Sequence, residues 1–153
     1  MKIEKRIEEL GLTLPKTTEP MANYVKAVRT GNLLYTSGHG PYDDGVVKRT
    51  GKLGRELTVD EGYQVARNIA LNLVATVKAA VNDLDEVKKI VKLLGMVNCT
   101  EDFGDSPKVI NGCSDLLVEI FGEEVGKHAR SAVGMQELPG HMPVEIEMIL
   151  EIK

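Results

Sequence analysis

Val144-Glu145-Ile146-Glu147-Met148-Ile149-Leu150-Glu151-Ile152, near the end of the chain, alternates between two kinds of side chain. Successive side chains of a strand point to opposite faces. Val144, Ile146, Met148, Leu150 and Ile152 therefore make one apolar face, and Glu145, Glu147, Ile149 and Glu151 a half-polar one. The apolar face needs a cover. The half-polar face must meet water, a site or another subunit.

Two upstream segments can supply the cover. Thr58 and Glu61 form a capping box, in which each side chain satisfies a backbone donor that the first helical turn leaves orphaned. Val65, Ile69, Leu73, Val77 and Val81 follow at every fourth position, and Ala66, Ala70 and Val74 widen the stripe. A second helix is expected to open with Ser106 as N-cap and Pro107 in its first turn. It carries Ile110, Cys113, Leu117 and Ile120 inward and stops at Gly122. Between the helices, Lys89–Cys99 is apolar without helical periodicity and reads as a strand, as does Ala129–Met135.

Nearer the N-terminus, Tyr24–Arg29, a Thr30-Gly31-Asn32 turn and Leu33–Ser37 read as a hairpin. Asp43-Asp44-Gly45 marks a further turn, with Val46 and Val47 continuing as a short strand. Ile3, Ile7 and Leu10 lie at helical spacing before Gly11, and Pro15 and Pro20 bracket an extended polar stretch. Residues 1–20 are expected to form an arm packed on a single domain of residues 1–153. The element order is β-β-(β)-α-β-α-β-β, an α+β class with both helices on one face of the sheet.

Composition narrows the function. At 153 residues the chain can bury roughly 68–70% of its unfolded surface without metal or disulfide support. A formal net charge of −4 gives no attraction to phosphate backbones or anionic lipid, and an aromatic fraction of 4% with no Trp leaves few platforms for stacked bases. Nucleic acid is therefore not the expected partner. No apolar run reaches membrane-spanning length, and Met1–Leu10 carries six charges where a signal peptide would be apolar. A cytoplasmic location is expected, with Cys99 and Cys113 as reduced, buried thiols. His39, His128 and His141 are scattered, no Cys-x-x-Cys occurs, and Gly38-His39-Gly40 opens no helix, so neither a metal nor a nucleotide cofactor is expected.

Arg130 is the residue with the most chemical promise. Alternation in His128-Ala129-Arg130-Ser131-Ala132-Val133 puts His128 and Arg130 on one side. A guanidinium standing on a sheet is a rigid fork that matches a carboxylate with two hydrogen bonds. The alternative is a structural pairing with Glu145 or Glu147 across the sheet.

Four separated blocks resemble the RidA/YjgF family. They are Gly31-Asn32-Leu33-Leu34-Tyr35-Thr36-Ser37-Gly38, with Tyr24 thirteen residues before Ser37; Asn111; Ala129-Arg130-Ser131-Ala132-Val133; and Glu137-Leu138-Pro139 followed by Val144-Glu145-Ile146-Glu147. The resemblance spans about residues 22–152. It implies a chorismate-mutase-like α+β fold, assembled as a homotrimer with clefts between subunits, and hydrolysis of reactive enamines and imines such as 2-aminoacrylate or 2-iminopropionate to 2-keto acids and ammonia. By resemblance, Arg130 would hold the substrate carboxylate and Glu145 would position or activate water, with Tyr24, Ser37, Gly38 and Asn111 lining the cleft. No cofactor is needed, because an imine carbon is already electrophilic. His39 stands where the family usually has Gln, Ala132 where it often has Cys, and His128 where Pro is frequent; the N-terminal arm resembles a side branch. Two other functions stay open: a regulatory protein that binds a small carboxylate without turning it over, and an endoribonuclease or translation inhibitor.

Overall fold

The computed structural model describes residues 1–17, 22–43 and 45–153. Pro20 and Asp44, both used above, lie outside the described residues. The elements are α1 (Lys2–Glu9), β1 (Ala27–Thr30), β2 (Leu33–Thr36), β3 (Tyr42–Asp43), β4 (Val46–Val47), α2 (Val59–Val81), β5 (Val87–Asn98), α3 (Ser106–Gly126), β6 (Ala129–Met135) and β7 (Val144–Ile152).

The terminal strand is central. The main sheet runs β1-β2-β7-β5-β6, and β3 and β4 form a separate small ribbon. β7 is antiparallel to both β2 and β5, whereas β5 and β6 are parallel, joined through α3. As the alternation predicts, Val144, Ile146, Met148, Leu150 and Ile152 are all buried, and the intervening residues are half-buried. The buried face packs on α2 and α3. Ile69, Leu73 and Val77 are buried from α2; Ile110, Cys113, Leu117 and Ile120 from α3. A mixed α+β architecture with helices against one sheet face results.

Local chemistry explains the helix starts. Glu61 N donates to Thr58 Oγ1 at 3.2 Å and Thr58 N donates to Glu61 Oε1 at 3.0 Å, closing the expected capping box. At α3 the expectation needs correction. Asp105 occupies the N-cap position without a side-chain cap, and Ser106 is already helical, with Pro107 in the first turn. Ser106 is buried against the core, so tertiary packing rather than its hydroxyl sets where the helix begins. Gly122 does break the helix, with φ of 84°, but one more helical turn follows before Lys127. The hairpin is also shorter than expected, starting at Ala27.

The helices approach closely. A Cβ built on Gly112 would lie 2.0 Å from the Tyr63 carbonyl oxygen, so α2 and α3 touch backbone to backbone there. The arm docks by electrostatics as well as by buried Ile7. Asp85 takes the backbone N–H groups of Lys2 and Ile3, each at 2.9 Å, and pairs with the N-terminal ammonium, which brings its carboxyl down to about 2. Glu4 pairs with Lys78 at 2.8 Å. No helix among the described residues is long and apolar enough to cross a membrane.

Candidate active site

The sheet separates the sequence-derived site residues into two groups. Glu145 belongs to the face of β7 turned away from the helices. Beside it, Gly38 leaves no room for a side chain: its Cβ would fall 1.9 Å from Glu145 Oε2. Ser37 ties down the approach to this corner, its Oγ donating to Val25 O at 2.7 Å and its N–H to Lys26 O at 2.8 Å. Tyr24, just before that anchor, is exposed. Tyr42 faces the same carboxylate: burial first, then the charge of Glu145, raises its phenol pKa.

Glu145 itself is half-buried and accepts no hydrogen bond from a described residue. Burial raises its pKa above the ordinary glutamate value, and the neighbouring charge of Glu147 adds to the effect. A carboxylate left without donors in a partly dry site is a stronger base than one in water.

Under this corner lies His39, almost fully buried. Its Nδ1 is 2.7 Å from Ser37 O and its Nε2 2.8 Å from Thr76 Oγ1, and its backbone exchanges hydrogen bonds with Ile146, the residue next to Glu145. A carbonyl only accepts, so Nδ1 carries a proton. Burial keeps the pKa below the usual histidine value.

The second group lies on the opposite sheet face, at the β6 edge. Arg130 is paired in register with Leu93, and Leu93 with Met148, which fixes its side chain on the helix side. Its Nη1 donates to Ser114 Oγ at 3.1 Å and its Nη2 to Pro107 O at 3.3 Å. Asn111 falls between Pro107 and Ser114 at helical spacing, so it shares their face of α3. His128 precedes the strand instead of lying in it, yet its Nε2 reaches the same Ser114 Oγ at 2.9 Å.

The pairing of Arg130 with Glu145 or Glu147, open on the sequence alone, does not occur. Glu145 and Glu147 project from the other face, and among the described residues no acidic side chain forms an ion pair with Arg130. The guanidinium is positioned but not neutralised. Farther along β6, Lys52, Arg55, Cys99, Phe103, Gly134 and Met135 line an open cleft of about 570 Å³ that includes none of the candidate catalytic or substrate-binding residues, and Cys99, expected to be buried, is only half-buried there. Cys113 is fully buried and its thiol is pushed up to about 12, which makes it inert.

Tyr42, Ser114 and Thr76 were not singled out from the sequence. Ser114 carries a usable signal, because it follows Asn111 by three residues on one helix. Tyr42 and Thr76 carry none, since only the folded chain brings them to Glu145 and His39.

Fold and site together define a small α+β protein with a guanidinium and a carboxylate prepared on opposite faces of one sheet. The chain belongs to the family described as "YjgF/chorismate mutase-like, putative endoribonuclease", whose model matches residues 4–145. It is 43% identical over 151 residues to Protein TCP17 of Trypanosoma cruzi, covering 99% of this chain and 94% of that one. It is 30% identical over 142 residues to the 2-iminobutanoate/2-iminopropanoate deaminase of Dermatophagoides farinae, covering 93% and 95%. Among solved structures, Atu1372 of Agrobacterium tumefaciens, a protein with unknown function, superposes with a TM-score of 0.91 at 44% identity, over 99% of this chain and 92% of that one.

Proposed function

We propose that the protein hydrolyses 2-imino acids, and the enamines that tautomerise to them, to 2-keto acids and ammonia. The observation that carries this reading is Arg130: a guanidinium fixed by Ser114 and Pro107, with no acidic partner among the described residues. A site of that kind takes a planar carboxylate in bidentate fashion and leaves the adjacent C2 open to attack. Water adds to C2 of the iminium while Glu145 accepts its proton. Glu145 returns that proton to the nitrogen of the resulting carbinolamine, the C–N bond breaks as the hydroxyl gives its proton to Glu145, and ammonia leaves behind a C2 carbonyl, taking up that last proton as ammonium. Glu145, with its raised pKa, suits both halves of that transfer. Kinship with a named 2-iminobutanoate/2-iminopropanoate deaminase at 30% identity supports the substrate class.

The reading requires more than one copy of the chain. Glu145, Gly38, Ser37 and Tyr24 lie toward one sheet face and Arg130 and Asn111 toward the other, so within one chain they cannot share a substrate. A second copy can bring one group against the other. The uncovered sheet face, with Val28, Tyr35 and Val133 exposed among its acidic residues, is the surface left for such contact. The assembly that fits is a homotrimer with one cleft per subunit interface. Light scattering should give a mass near three times 16.7 kDa, and a monomer at micromolar concentration would remove the composite site.

The direct test generates 2-iminopropionate in situ, traps unreacted imine with semicarbazide, and compares pyruvate formation with and without protein. Acceleration supports the deaminase. Keto-acid binding without acceleration would make the protein a carboxylate-binding regulator.

A further inference from the structure

Arg130 is tied to α3 through a chain of hydrogen bonds. Its Nη1 reaches Ser114 Oγ at 3.1 Å, that oxygen lies 2.9 Å from His128 Nε2, and His128 Nδ1 lies 2.8 Å from Gly126 O. Donor–acceptor bookkeeping fixes the direction of the whole chain. The Gly126 carbonyl can only accept, so Nδ1 of His128 is the protonated nitrogen. A neutral ring then has a lone pair at Nε2, and the Ser114 hydroxyl must donate into it. The Ser114 oxygen is left free to accept from Arg130. With the ring neutral, one arrangement satisfies these groups, and it orients a guanidinium hydrogen toward α3.

The surroundings favour the neutral ring. Burial lowers the His128 pKa, and the charges of Arg130 on β6 and Lys89 on β5 push in the same direction. From α3, the Cys113 thiol stays protonated. The Lys89 ammonium is itself held by Glu124 O at 2.6 Å.

We propose that Ser114 and His128 are positioning residues, a hydrogen-bonded relay that fixes the plane of the Arg130 guanidinium for carboxylate capture. The relay deepens the reading that Arg130 holds the substrate carboxylate, and rests on it. With Nη2 anchored to Pro107 O, the relay gives the guanidinium its second fixed point, and these two together with the covalent stem at Nε set its plane. Without Ser114 the group rotates about its remaining anchor, and a carboxylate is held by one oxygen instead of two. His128 acts one step further away, by holding the Ser114 hydrogen off the face that Arg130 needs.

A double-mutant cycle tests this, read as the pyruvate dissociation constant by NMR titration of the full-length protein. Ser114→Ala should weaken pyruvate about tenfold, and Ser114→Thr, which keeps the hydroxyl, should restore affinity to within about threefold. In an Arg130→Ala background, Ser114→Ala should cost less than about twofold, because the group it positions is gone. Nitrogen-15 shifts of His128 should show the Nδ1-protonated tautomer near neutral pH. If Ser114→Ala weakens pyruvate equally in both backgrounds, or His128 is the Nε2-protonated tautomer, the relay is overturned. If Arg130→Ala leaves pyruvate affinity unchanged, the failure is that of the carboxylate reading itself. Should Ser114→Ala not fold, His128→Gln takes its place in the same cycle, and equal weakening of pyruvate in both backgrounds overturns the relay.

Discussion

Replacing Arg130 by Lys keeps the charge and removes the fork. A guanidinium has five N–H donors in one plane. Two are committed in the structure, to Ser114 Oγ at 3.1 Å and to Pro107 O at 3.3 Å, which leaves three for a ligand. A lysine ammonium has three donors on a single atom and a longer flexible stem. It cannot keep both anchors and still offer a carboxylate two parallel hydrogen bonds. At least one charge-assisted hydrogen bond is lost, worth about 1.5–3 kcal/mol. At 1.36 kcal/mol per decade, kcat/KM for 2-iminopropionate should fall by about one to two decades. The semicarbazide-trap assay measures that ratio, pyruvate titration measures affinity, and thermal unfolding measures stability. Because the side chain is partly exposed and forms no ion pair with a described residue, stability should change by no more than an ordinary surface substitution, about 0.5 kcal/mol. Unchanged kcat/KM in a folded Arg130→Lys protein would refute the clamp and leave Arg130 a purely structural residue.

Other predictions use different parts of the structure. Glu145→Gln should retain pyruvate affinity while turnover drops about a hundredfold, and the rise in kcat with pH, displaced above the usual glutamate range by burial, should vanish; a retained limb would assign the base elsewhere. The same substitution should not lower Tm at neutral pH, since a raised pKa means that the charged form is disfavoured by folding. His39→Gln should flatten the acid dependence of stability. The folded state holds His39 below its unfolded pKa of about 6.5, so its contribution is present above that pH and is lost as pH falls toward the folded value. His128 acts in the same sense, so the flattening is partial, and an identical Tm slope between pH 7 and 5 in both proteins would contradict the reading. Gly112→Ala should cost about 1–3 kcal/mol or more, because its Cβ would sit 2.0 Å from a backbone oxygen that cannot rotate away; a Tm within one degree of the parent would show that α2 and α3 can separate there.

Much of the fold was legible because its determinants are local. The period-two alternation of Val144–Ile152, the four-residue stripe of Ile69, Leu73 and Val77, and the Thr58–Glu61 box each state their own structure within a dozen residues. The α3 start shows the converse. Asp105 and Ser106 are both good cap residues, and the choice between them was made by burial of Ser106 in the core. Strand order was not legible either. Nothing local says that the last strand lies between β2 and β5, since pairing of distant strands is decided by which faces can be buried together.

The same division holds at the site. The sequence determined which residues could do chemistry, because a guanidinium in the Arg130 motif and a carboxylate in the alternation of β7 are identities and spacings. Only the tertiary structure decided that the two stand on opposite faces of the sheet, which removes their pairing and turns one site into two halves. It alone brought Tyr42 to Glu145, Thr76 to His39, and Ser114 between His128 and Arg130. Such contacts join residues up to 103 positions apart, as in Tyr42 and Glu145, and the free energy that holds them comes from burial of the whole core, which no short stretch of sequence contains.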